Sequence, residues 1–282
     1  MSADSLRPPR LVVPNGACDT HMHFYNSAYK PSANAWLFPP DFLLPAYRKV
    51  QQRLGLQRMV LVQPVTYGFD NSCILDAADE IGDDARAVVT VPVSIGDAEL
   101  EALWARGARG VRFHQMRGGM MKWHELPIMA ARLAGSGWHV QVQLDGMQLP
   151  EYEKLIADLP GTVVIDHMGR YSQPISPDHE AFRALLRLAA RDNIYVKISG
   201  AYHISKVGGP GYPDVVPLAA ALVRQSTDRL LWASDWPHPT HLEEHAPDDA
   251  DLLDFLLECV ASQEGRRKIL VDNPARLYGF AA

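Results

Sequence analysis

The chain has 282 residues, 47% hydrophobic and 21% charged, which is apolar enough for a large buried core and excludes an intrinsically disordered chain. Its net charge of −6 at pH 7 excludes a broad basic surface for nucleic acid or anionic membrane, and no run nears the ~20 apolar residues that span a bilayer. Three cysteines, Cys18, Cys73 and Cys259, are odd in number and lack metal-knuckle spacing, so a cytoplasmic protein with small-molecule partners is expected.

Residues 1–13, MSADSLRPPRLVV, lack the apolar core of a secretory signal and read as an N-terminal extension. An extended stretch follows at residues 17–24, ACDTHMHF, where alternation with period two turns His21 and His23 to the same side. Residues 25–45 are rich in Pro, Asn, Ser and aromatics, and read as a long loop leaving that strand's C-terminal end. It is either a lid over a pocket or an aromatic-stapled surface loop. A helix at 46–54, stopped by Gly55, then leads to a strand at 59–63. The alternation continues with helices at 71–81, 97–106, 125–136, 150–159, 179–191, 212–225 and 248–263. The matching strands fall at 87–93, 110–115, 138–144, 162–166, 195–199 and 229–233. Eight strands separated by helical patterns predict an α/β fold, a single (β/α)8 TIM barrel over residues 14–282. An open doubly wound sheet is disfavoured, because DTHMHF stands where a Gly-rich phosphate turn belongs.

In a barrel of this kind the reactive side chains sit at the C-terminal ends of the strands. In chain order those ends supply His21 and His23, Gln63, Arg112 and His114, Gln143 and Asp145, His167, Lys197 or Ser199, and Asp235. No Gly-x-Ser-x-Gly elbow is present, and Cys18 precedes the site, so a water nucleophile with Asp235 as general base is the natural inference. Parity turns Asp19 and Asp166 away from the pocket. His139, at a strand start, and His241 read as structural. Tyr202 and His203, just past the seventh strand, carry only a weak claim.

The His-x-His of the first strand, His167 in IDHMGR and Asp235 in ASDWPHP together resemble the amidohydrolase superfamily. Within it they resemble the lactonase branch, which includes 2-pyrone-4,6-dicarboxylate lactonase and D-galactarolactone isomerase, and the likeness runs from Gly16 to the closing VDNPARLYGF. The resemblance implies that Asp235 takes a proton from the attacking water and returns it to the departing oxygen. It implies that His21, His23 and His167 surround the carbonyl oxygen and stabilise its developing charge. Arg112, in the Gly-Val-Arg-Phe position, would hold a substrate carboxylate through bidentate guanidinium geometry, with Arg117 as a second anchor. Gln143, His114 and His238 complete the expected substrate-binding set. The isomerase carries asparagine where Asp235 stands, so hydrolysis of a small carboxylated lactone is preferred to isomerisation. A metal-dependent decarboxylase or amidohydrolase is the further alternative. His21, His23 and Asp235 would suit one Zn²⁺. Yet Gln143 and Arg112 or His114 stand where the superfamily's metal sites have histidine, lysine or glutamate, so no metal is expected to be required. The expected partner is a lactone or dicarboxylate, and a homodimer is the assembly such barrels often form.

Overall fold

Eight short strands lie side by side in sequence order, each parallel to the next. They are β1 (Cys18–Met22), β2 (Arg58–Val62), β3 (Ala85–Val89), β4 (Ala108–His114), β5 (His139–Gln143), β6 (Thr162–Ile165), β7 (Ile194–Ile198) and β8 (Leu230–Trp232). The structure is a computed structural model that describes residues 7–241 and 246–281; residues 1–6 of the expected N-terminal extension lie outside the described residues. Between the strands run α1 (Leu44–Leu54), α2 (Ser72–Ile81), α3 (Asp97–Ala105), α4 (Leu126–Leu133), α5 (Leu149–Ala157), α6 (Glu180–Ala189), the short α7 (Ala201–Ile204) and α8 (Val216–Gln225). After β8 come α9 (Asp249–Cys259), α10 (Gln263–Arg267) and α11 (Asn273–Tyr278). This is the expected (β/α)8 barrel, with boundaries displaced by a few residues. Alternate strand residues such as Met59, Leu61, Ala87, Val163 and Ile165 pack outward with the buried faces of the helices. Val60, Val62, Val88, Val164, Tyr195 and Leu231 pack together inside the barrel. Strands covered on both faces read as near-continuous apolar runs, which is why they were visible in the sequence.

β1 departs from simple alternation. Asp19 pairs with Met59 but Met22 pairs with Leu61, three steps on β1 against two on β2, which is a one-residue bulge. The bulge lets Cys18 join the apolar floor of the barrel while His21 and His23 still point inward. The seam between β1 and β8 is closed by side chains together with two backbone bonds at 2.8 Å, from the Asp235 N–H to the His21 carbonyl and from the His23 N–H to the Trp236 carbonyl. Thr20 Oγ1 donates to the Trp232 carbonyl at 2.8 Å. The Asp19 carboxylate accepts from the backbone N–H of His21 and Ser234 at 3.1 and 3.0 Å, from Tyr47 Oη at 2.9 Å and from the Ser234 hydroxyl.

The helix expected at 248–263 ends at Cys259, and the chain continues through α10, a π-helical turn (Lys268–Asp272) and α11. This segment plugs the barrel floor, placing Tyr278 and Phe280 against Cys18, Val60 and Leu231. The described part of the N-terminal extension is strapped to α9. Arg7 Nη1 donates to Asp254 Oδ2 at 2.8 Å, and the N–H groups of Arg10 and Leu11 donate to Asp254 Oδ1 at 2.8 and 2.9 Å.

The floor leaves no space at Gly110, where a Cβ would lie 2.3 Å from Nε2 of His139. That imidazole is buried and meets Tyr278 edge to face, with ring centroids 5.3 Å apart. Gly110→Ala should therefore destabilise the fold by about 1–3 kcal/mol through overpacking, read as a lower urea midpoint. An unchanged midpoint would contradict this packing.

Candidate active site

Beyond its last residue β6 keeps its parity for one more position, so Asp166 follows Val164 into the barrel. This corrects the expectation that Asp166 points away. The chain then turns left-handed at His167 (φ 52°) and Met168 (φ 51°), which swings the His167 imidazole back over the mouth. Asp235 is also left-handed (φ 64°). For residues with a Cβ this conformation costs about 1–3 kcal/mol, and it persists only where surrounding contacts hold it.

Those contacts are specific. The Asp235 backbone N–H donates to the His21 carbonyl at 2.8 Å. Asp235 Oδ2 accepts from Tyr202 Oη at 2.6 Å and from His203 Nε2 at 3.1 Å. The other oxygen, Oδ1, is ringed by imidazoles, with Nε2 of His23 at 3.4 Å, of His21 at 3.7 Å and of His167 at 3.8 Å. Burial raises the proton affinity of this carboxyl, but His167, His203, His23 and His21 outweigh burial and hold it well below the usual carboxylate range. Burial pushes His167 down to about 4 and His203 to about 3, so both are neutral at pH 7. His167 Nδ1 is fixed by Ser199 Oγ at 2.9 Å, and His23 donates Nδ1–H to the Val62 carbonyl at 2.7 Å.

One layer deeper lies a buried polar cluster. Asp166 Oδ1 is 3.2 Å from both His21 Nδ1 and Lys197 Nζ, and its Oδ2 accepts from Gln141 Nε2 at 3.0 Å. Lys197 Nζ donates to Gln141 Oε1 at 2.8 Å. Burial disfavours the Asp166 charge, yet Lys197 and His21 hold its pKa well below the ordinary value.

Above these groups opens a cavity of ≈ 180 Å³, whose lining includes His23, His167, His203 and Asp235 together with Arg112, Arg117, Arg170, His114 and Gln143. Trp36 and Leu37 from the long loop after β1 also line it, so part of that loop lies against the cavity. Trp36 Nε1 donates to the Arg117 carbonyl at 2.9 Å, and the Arg117 guanidinium lies 4.7 Å from the centre of the Trp36 ring. Arg112 donates to the Gln63 carbonyl at 2.7 Å and to Gln143 Oε1 at 2.6 Å, while its buried Nε and Nδ1 of His114 have no hydrogen-bond partner among the described residues. The wall is thus cationic and under-satisfied, suited to an anionic ligand.

Seven expected residues therefore meet in one cavity: His23, His167, Asp235, Arg112, Arg117, His114 and Gln143. Two do not. His21 is fully buried beneath the cavity and meets it through its contacts with His23, Asp235 and His167. His238, expected to touch substrate, lies outside the lining, where its Nε2 contacts Asp249 Oδ1 at 3.0 Å and its ring packs edge-on against Tyr202. It braces the loop after β8. Sequence reasoning undervalued Tyr202 and His203, which hold Asp235, and missed Arg170. The available signal was position: Tyr202 and His203 open α7 immediately beyond β7, and Arg170 follows His167 in a left-handed turn.

Two groups of side chains have ligand atoms within 4.8 Å of one another, His21, His23 and Asp235, and His21, Asp166 and His167. In the first, separations of 3.2 to 3.7 Å match ligand atoms about 2.1 Å from a tetrahedral Zn²⁺, so this donor set fits one such ion by spacing.

Three known proteins show how far this architecture is shared. The 2-pyrone-4,6-dicarboxylate hydrolase of Comamonas testosteroni is 38% identical over 96% of this chain and 92% of its own length. The 4-sulfomuconolactone hydrolase of Rhizobium radiobacter is 36% identical over 96% and 93%. An Agrobacterium tumefaciens protein solved without ligand superposes with a TM-score of 0.92 at 30% identity, covering 98% of both chains. The amidohydrolase family model matches residues 18–280, almost the whole barrel including its C-terminal plug, and the chain is a member of the amidohydrolase family.

Proposed function

We propose that this enzyme opens a small lactone bearing at least one carboxylate, using water activated by Asp235. The observation that carries the reading is the asymmetry of the Asp235 carboxylate. Two donors tie Oδ2, whereas Oδ1 has only the longer approaches of His23, His21 and His167, and Asp235 shares the lining of a small cavity with Arg112, Arg117 and Arg170. The substrates for which the two hydrolase relatives are named, a pyrone dicarboxylate and a sulfomuconolactone, support an anionic lactone as the substrate class.

Arg112, Arg117 and Arg170 would hold the anionic groups and so fix the ring over the imidazoles. Asp235, ionised and buried, takes a proton from water as the oxygen attacks the lactone carbonyl carbon. With Ser199 donating to its Nδ1, His167 presents Nε2–H to the oxygen that gains charge. The tetrahedral intermediate then breaks its ring C–O bond, and Asp235 returns the proton to the departing ring oxygen. His203 and Tyr202 keep Oδ1 pointed at the water throughout. A divalent ion held by His21, His23 and Asp235 would supply Lewis-acid polarisation and a more acidic bound water; none of the steps above calls for it. The three cysteines are free and buried, which fits work in a reducing cytoplasm. No described helix is long and apolar enough to cross a membrane.

Asp235→Asn should lower kcat for a carboxylated lactone by about 10²–10⁴ while binding is retained. Wild-type turnover in that variant would refute the role of Asp235, and product analysis by NMR separates ring opening from ring migration. Elemental analysis should find metal far below one equivalent, with turnover unaffected by chelators. One equivalent of zinc with chelator-sensitive activity would replace this mechanism with a metal-dependent one. Arg117→Met should raise KM for a dicarboxylated lactone by about 10- to 100-fold, the worth of a hydrogen bond to a charged group, and leave a neutral lactone unaffected.

A further inference from the structure

Lys197 is completely buried in the throat of the barrel and takes no part in the steps above. Its Nζ has three neighbours able to accept: Gln141 Oε1 at 2.8 Å, His21 Nδ1 at 3.1 Å and Asp166 Oδ1 at 3.2 Å. An ammonium carries three N–H groups and no lone pair, so this shell is complete only if His21 Nδ1 offers its lone pair. The His21 proton then sits on Nε2. The other side of the ring leads to the same assignment. His23 donates Nδ1–H to the Val62 carbonyl, which can only accept, so the neutral His23 ring offers a lone pair at Nε2, and that atom lies 3.2 Å from His21 Nε2. That contact is attractive only if His21 carries the proton there. The opposite tautomer would set an N–H against the buried ammonium. It would also leave Nε2 of His21, Nε2 of His23 and Oδ1 of Asp235 as three facing lone-pair atoms, the donor set that binds a metal ion.

We propose that Lys197 is a positioning residue that locks His21 in the Nε2–H tautomer, so that a proton on His21, in place of a metal ion, joins His23 and Asp235. Asp166 and Gln141 hold the ammonium against His21. Removing the ammonium frees His21 Nδ1–H to donate to Asp166, the carboxylate arrangement that accompanies metal-bound histidine. Lys197 thereby decides which chemistry the same three side chains can support. Its effect on turnover rests on the lactonase reading above; the tautomer and the metal affinity do not.

The test combines histidine-selective ¹⁵N NMR, zinc titration by calorimetry and steady-state kinetics on the wild-type protein and Lys197→Met. In the wild type, His21 should show a pyridine-type Nδ1 and a pyrrole-type Nε2, with weak zinc binding. Lys197→Met should reverse the two signals and bind zinc about 10- to 100-fold more tightly, the usual scale of outer-shell effects at metal sites. Its kcat should fall while KM changes little, because the arginines that hold substrate are untouched. A wild-type His21 with Nδ1–H, tight zinc uptake by the unaltered protein, or a folded variant with an unchanged tautomer would each overturn the proposal. If Lys197→Met does not fold, the two wild-type measurements decide alone. Absence of lactone turnover in the wild type would refute the lactonase reading and leave the tautomer and zinc results to judge Lys197.

Discussion

The barrel closes on a buried carboxylate. β1 and β8 are the first and last strands, and Asp19 joins them by accepting hydrogen bonds from Ser234 on one side and from His21 and Tyr47 on the other. Leaving such a buried group without partners costs about 1–3 kcal/mol, so the seam is specified by hydrogen-bond satisfaction as well as by shape. Closing it there brings the imidazoles of β1 within 4 Å of a carboxylate more than two hundred residues away.

The chemistry sits where the backbone stops being regular. His167 and Asp235 both occupy left-handed conformations immediately after their strands, and each is held by contacts from a different part of the chain. A strand can aim a side chain only up or down its own face, whereas a left-handed turn can aim one across the mouth of the barrel. The strain is local and the contacts that offset it are spread over β1, β7 and α7. Charge follows the same rule of locality. The chain carries a net −6, yet its cavity presents three guanidinium groups, and a ligand inside responds to that near field.

Beneath the cavity, Lys197, Asp166 and Gln141 satisfy one another almost completely. A half-satisfied polar cluster in a barrel throat would be costly, whereas a saturated one is rigid and fixes where protons reside. His21 lies between this cluster and the cavity, and through it the throat and the reacting groups are connected.

The eightfold alternation, the inward pair His21 and His23, and the arginine and glutamine of β4 and β5 were legible in the sequence. They follow from periods of 2 and 3.6 residues, which report which face of an element is covered. Those periods carry no information about the bulge that keeps both Cys18 and His21 inside, or the left-handed turn after Asp166 that brings His167 over the mouth. They are equally silent on the plug formed by Tyr278 and Phe280. Tyr202 and His203 find Asp235 only because β7 and β8 are neighbours, and Trp36 becomes a wall only because its loop folds onto the turn after β4. The sequence by itself thus determined the barrel and the identity of most groups at its mouth, since local periodicity encodes burial. Which oxygen of Asp235 is tied by Tyr202 and His203, which nitrogen of His21 bears the proton and which arginines share the cavity were decided by tertiary structure alone, because each depends on a hydrogen bond or contact between residues that only closure of the barrel makes neighbours.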